Sequence, residues 1–208
     1  RNAAGQQVPD GTVKVNHSEH GIIYAEDAQL RILQQRFFYQ KYDENATWQD
    51  RDGNDQKGRY VNKSVYVSYP YDEALDEQGG VNCGKFKVDD WDNLSEERRN
   101  EWRAAKRYRV IFGLLTVKDA FAEGSKDPVS FEDFPVIFQI SNKATFKNFG
   151  NLMSHFHKQK IMPWKQKVKF NFTFEQTPAV SWYTVNPTIV GEQTPILEEY
   201  LAINKEFS

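Results

Sequence analysis

Residues 165–175 read Lys-Gln-Lys-Val-Lys-Phe-Asn-Phe-Thr-Phe-Glu, the cleanest alternation in the chain. In an extended backbone Val168, Phe170, Phe172 and Phe174 fall on one side, and Lys167, Lys169, Asn171 and Thr173 on the other. That is the period-two pattern of a strand with one buried and one wet face. A fold containing it must supply a partner sheet or helix for the four apolar residues.

Working outward, residues 145–159 read as a helix, with Phe149, Leu152, Met153 and Phe156 as its buried stripe and Pro163 closing it off. Residues 134–141 and 107–117 read as strands, with a polar loop over 119–133 between them. Ser95 is an N-cap, and Glu96 and Glu97 suit the first turn of a helix running to about 105. Residues 61–69 form a strand ended by Pro70. Residues 43–63 are a polar stretch holding the turn signal Arg51-Asp-Gly-Asn54, a hairpin connection or a mobile loop. Leu30, Leu33 and Phe37 recur at helical spacing, predicting a helix over 26–41. Residues 181–190 make a last strand, broken near Pro187, before a C-terminal helix. Residues 1–21 form a flexible N-terminal arm with a first strand near 12–16, 22–195 a single domain, and 196–208 the C-terminal helix. The expected fold is α+β, mainly β: an OB-like antiparallel barrel of five or six strands with peripheral helices.

The 208 residues are long enough to bury a core without disulfides or metals. One cysteine, Cys83, excludes a disulfide scaffold and a cysteine-rich zinc site, and fits a reducing cytoplasm. No apolar run is long enough to cross a membrane. The net charge of −2, from 27 Lys+Arg and 29 Asp+Glu, hides a division. Residues 134–174 carry seven lysines (Lys143, Lys147, Lys158, Lys160, Lys165, Lys167 and Lys169), no Asp or Glu, and nine aromatics. Residues 72–101 hold ten acids against four bases.

Lysines that track phosphates beside rings that stack on bases are what a single nucleic-acid strand requires. Lys143, Lys147, Lys165, Lys167 and Lys169 are therefore candidate phosphate contacts, joined by Arg107 and Arg109 from a second basic cluster at 98–109. Phe149, Phe156 and the alternating phenylalanines belong to the core. Trp164, in a connection between lysines, is a stacking residue or a lid on the core. Tyr66 and Tyr69 are further stacking candidates.

Catalytic patterns are absent from the sequence. His155 and His157 are two apart and do not share a helical face, Asp89, Asp90 and Asp92 lack calcium-loop spacing, and there is no Gly-rich phosphate loop. The expectation is a binding protein, not an enzyme, without cofactor or metal.

The layout resembles bacteriophage single-stranded DNA-binding proteins with an OB-type fold. Three pieces carry the resemblance: Gly80-Val-Asn-Cys-Gly-Lys-Phe86 before a charged helix; Lys106-Arg-Tyr-Arg-Val-Ile-Phe-Gly-Leu-Leu-Thr-Val117; and Phe134-Pro-Val-Ile-Phe-Gln-Ile-Ser, then Thr145-Phe-Lys-Asn-Phe-Gly-Asn-Leu, then Pro163-Trp and the Phe-rich strand. The resemblance covers about residues 60–185. It implies sequence-independent binding and protection of single strands during phage DNA replication or recombination. It also implies replication or recombination proteins as partners, and the cytoplasm of an infected bacterial host as location. Such proteins often end in an acidic tail, whereas residues 198–208 are only mildly acidic. Oligomeric state, including a homo-oligomer, is open at this level. The competing reading is a virion structural or decoration protein built for protein contacts.

Overall fold

The computed structural model describes residues 11–50, 52–61, 66, 92–125, 127–178, 180–194, 198, 199, 202 and 205. Eight strands and two α-helices follow in the order β1 (Val13–His17), β2 (Gly21–Ala25), β3 (Asp27–Gln49), β4 (Asp55–Val61), α1 (Glu96–Ala104), β5 (Ala105–Ala122), β6 (Pro128–Ile140), α2 (Lys143–Lys158), β7 (Lys167–Gln176) and β8 (Ser181–Val190). The protein is mainly β with helical additions, as expected. Its sheet runs β1-β2-β5-β3-β7-β8, with β4 paired to β3 and β6 to β5. Every pairing with a described register is antiparallel. The order is open, with β1 and β8 at its ends, so among the described residues the sheet is not closed into a barrel. Among the described residues it has eight strands, where five or six were expected.

The expected helix over 26–41 is the first part of β3, a strand of 23 residues. Leu30 and Ile32 are buried on one face, and Arg31 and Leu33 on the other. A strand covered on both faces carries a near-continuous apolar run, from which a helical subset can be drawn by coincidence. The expected loop over 119–133 is mostly strand as well. β5 continues to Ala122 and β6 begins at Pro128. The polar residues there sit on strand faces, and Asp119 and Asp133 interrupt the pleat with φ of 50° and 49°. β8 runs unbroken through Pro187, because it pairs only with β7 and an edge strand tolerates a missing N–H. The stretch over 43–63, expected as a connection, is mostly strand: β3 runs to Gln49 and β4 from Asp55 to Val61, and the turn signal lies between them. Asp50 and Asn54 exchange a backbone bond of 3.0 Å across the turn, and the Asp50 carboxylate accepts from the Asn54 and Asp52 amides. The Asn54 amide above all holds the Asp50 carboxyl below its ordinary pKa.

Contacts divide the chain into two compact units. The first comprises residues 1–34, 111–138 and 142–208, and its core holds Ile23, Leu30, Ile32, Ile111, Leu115, Phe149, Phe156, Val168 and Phe170. The second comprises 35–110 and 139–141, with Phe37, Phe38, Tyr39 and Val110 buried. In the first unit, burial along β7 falls off from Val168 and Phe170, both buried, to Phe174, which is 53% exposed. The alternation that announces the strand therefore outruns the core. Residues 62–65 and 67–91, with most of the expected strand over 61–69 and most of the acidic third, lie outside the described residues.

Candidate nucleic-acid interface

In the first unit, α2 is set by an Asn142 cap, whose side chain accepts from the Thr145 amide at 2.9 Å. Thr145, Phe149, Leu152 and Phe156 are its buried face. At 3.6 residues per turn, Lys143, Lys147, Ser154 and Lys158 fall within an arc of roughly 60° on the opposite side. All four are exposed, as are Asn151, His155 and His157. The helix has no acid at all. Lys143 stands in the first turn, where the helix dipole is already positive and an acid would be favourable. The arrangement is electrostatically poor for the isolated helix and good for a bound anion.

The helix ends in a Schellman motif: the Lys160 amide donates to His157 O at 3.1 Å and the Ile161 amide to Phe156 O at 2.9 Å. Glycine normally takes the left-handed position, but here Lys160 occupies it, at φ 54°. A non-glycine residue there costs about 1–2 kcal/mol, and it adds a fourth basic or imidazole side chain at this end of the helix, after His155, His157 and Lys158.

The strand lysines are differently placed. Lys167 donates to Thr116 Oγ1 at 3.2 Å, and Lys169 pairs with Asp27 at 3.0 Å. Lys165 is half-buried in the 3-10 turn Pro163–Lys165. Trp164 packs against Leu33 and Leu114, and its carbonyl accepts from Arg31 Nη1 at 2.7 Å, the placement of a lid on the core. Of the five lysines read from the sequence, Lys143 and Lys147 share the α2 face; the other three do not join it. Lys158 completes that cationic face, and Lys160 is exposed just past the end of the helix. Helical spacing from Lys147 points to Lys158, whereas nothing local marks Lys160.

In the second unit, Arg109 is buried, with its guanidinium donating to Gln35 Oε1 and lying 5.0 Å from the centroid of the Phe37 ring. Burial, and then neighbouring Arg107, pushes its pKa down to about 10. A lowered pKa means the folded state disfavours the charged form. That penalty stands through neutral pH and lifts only as pH rises past about 10. Arg109 is thus part of the core, while Arg107 is half-buried beside it. Tyr66 is 42% exposed and meets the Phe38 ring edge-on at 5.5 Å. Tyr69 lies outside the described residues.

Tyr66 opens a run of rings that the sequence reading does not assemble. Phe38 stacks on Tyr108 at 4.7 Å and 2°, Lys106 lies over both Tyr108 and Tyr60 at 5.3 and 5.2 Å, and Tyr60 meets Tyr42 edge-on at 5.3 Å. Tyr42 and Tyr60 are invisible to a reading that makes 26–41 a helix and 43–63 a loop, because only the β3–β4 pairing sets them opposite each other.

No family model, no curated protein and no solved structure matches this chain. Among the described residues no helix is long and apolar enough to cross a membrane, and no three or more His, Cys, Asp or Glu cluster to hold a metal.

Proposed function

We propose that this protein binds single-stranded DNA without sequence selectivity, through lysine contacts to phosphates, as a non-catalytic protein of phage DNA replication or recombination in the host cytoplasm. The observation that carries the reading is the acid-free face of α2, with Lys143, Lys147 and Lys158 on one line spanning about 22 Å at 1.5 Å per residue. Such a line follows a phosphate backbone whatever its bases. A closed OB barrel is not needed for it: the helix is held by Thr145, Phe149, Leu152 and Phe156 on an open sheet.

The test is a salt titration of oligo-dT binding by the wild type and by Lys143→Glu/Lys147→Glu, both exposed positions. Each phosphate contact on a single strand adds about 0.7 to the slope of log affinity against log salt, so the double variant should bind more weakly, with a slope smaller by about 1.4. Undetectable wild-type binding at low salt would sink the proposal. Lys167→Glu is a poor probe, because it also removes the bond to Thr116.

A second reading, a virion module for protein contacts, draws on Phe174, Val180 and Ile137, all more than half exposed. A defined oligomer indifferent to oligonucleotides would favour it.

A further inference from the structure

The β3–β4 hairpin of the second unit carries a built cleft. Between the pairs Asp43–Arg59 and Thr47–Lys57, the residues Glu44, Asn45 and Ala46 of β3 stand opposite Gly58 alone. The extra residues make a bulge, pinned by the Asn45 amide donating to Asp43 Oδ1 at 2.9 Å. Gly58 has φ of 81°, and a Cβ there would stand 2.1 Å from Tyr42 Oη. Glycine therefore lets the Tyr42 ring lie down along β4, while Trp48 Nε1 donates to the Gly58 carbonyl at 3.2 Å. Bulges commonly re-aim side chains beside binding sites. Here the result is an open cleft of about 650 Å³ lined by Lys41, Tyr42, Asp43, Glu44, Tyr60 and Arg103. Tyr42 and Tyr60 are each 40% exposed.

The lining selects among ligands. Two cations and two carboxylates balance, so the cleft is no trap for free phosphate. The exposed surfaces of two tyrosine rings remain as its chief attraction, with Lys41 and Arg103 at its wall and Lys106 over the Tyr60 ring. A flat heterocycle that carries hydrogen-bond donors and acceptors on its edge and a phosphate on its tail fits this set. We propose that the cleft takes an unstacked nucleobase of a single strand, held against Tyr42 and Tyr60, with the flanking phosphates at Lys41, Arg103 and Lys106. The inference rests on the single-strand reading and adds the subsite that tells a single strand from other polyanions. Paired bases do not present their faces.

The probes are a labelled oligo-dT and an abasic phosphodiester oligomer of the same length, each titrated in salt. Stacking predicts that the wild type binds oligo-dT more tightly than the abasic chain by roughly 5- to 150-fold per engaged base. Tyr42→Ala/Tyr60→Ala should erase that difference and leave the salt slope unchanged, because no phosphate contact is lost. Tyr42→Phe/Tyr60→Phe, which keeps the rings, should retain the difference and guards against a merely unfolded alanine variant. Equal wild-type binding of both oligomers overturns the cleft and leaves the phosphate-binding reading standing. So does an alanine variant that keeps the preference. Binding of neither oligomer removes both.

Discussion

Gly113 of β5 sits where the strand passes β3 at its tightest. A Cβ there would stand 2.6 Å from the Arg31 carbonyl oxygen and 2.8 Å from Leu30 Cδ1. Backbone cannot step aside as a side-chain tip can. Gly113→Ala is expected to cost about 1–3 kcal/mol, the usual range for overpacking, read as a lower midpoint in thermal or urea unfolding. An unchanged midpoint would show that the two strands can spread. Gly58 differs, because its close neighbour is the far end of an exposed tyrosine. Substitution there strains φ and turns Tyr42 without touching the core. Neither demand is legible in sequence. A glycine within the apolar run over 107–117 looks like a weak point in a strand, and its necessity comes from a residue some eighty positions away.

β8 ends the sheet, and its outer edge is closed by α2. The Val185 amide donates to Thr145 Oγ1 at 3.0 Å, and Asn148 Nδ2 donates to the Val185 carbonyl at 3.1 Å. One turn of helix thus supplies the donor and acceptor that a neighbouring strand would supply. Two residues on, Pro187 has no N–H to offer. Together these blunt an edge that would otherwise recruit another strand. Thr145→Val removes the acceptor at nearly constant volume and leaves a half-buried amide unpaired, at a cost of about 1–3 kcal/mol. Hydrogen exchange of the Val185 amide should accelerate and the unfolding midpoint should fall. Unaltered exchange would mean that the hydroxyl contact is incidental. The helix itself was legible to within two residues at its start and one at its end, with Phe149, Leu152 and Phe156 of the expected stripe buried and Met153 only half-buried, because its periodicity has one apolar face. β3 was not, because burial on both faces erases the period that separates strand from helix.

For the molecule as a whole, charge is the property that binding would exploit. Residues 134–174 hold seven lysines without an acid in a chain of net charge −2. The fold then sorts those lysines: α2 presents Lys143, Lys147 and Lys158 to solvent, and β7 ties Lys167 and Lys169 to Thr116 and Asp27. A ligand that binds only the folded state stabilises it. Oligo-dT at a hundredfold excess over Kd should add about 2.7 kcal/mol. For a chain of this size that raises Tm by roughly 5–10 °C. The shift should shrink as salt rises, since phosphate contacts carry it. A shift independent of salt would point away from the α2 lysines.

The sequence by itself determined that the protein is mainly β, where α2 and β7 lie, that a turn signal falls at Arg51–Asn54, and that residues 134–174 are basic and free of acids. These follow from local periodicity, turn chemistry and counting, which need no partner residue to be read. Only the tertiary structure decided that the sheet of the described residues is open, that β3 and β5 are its long central strands, that Arg109 and Trp164 pack inward, and that Tyr42 meets Tyr60 across a bulge. Each depends on which residues stand opposite which. Strand register and burial on both faces are set by contacts between distant segments, and such contacts leave no periodic trace in the chain.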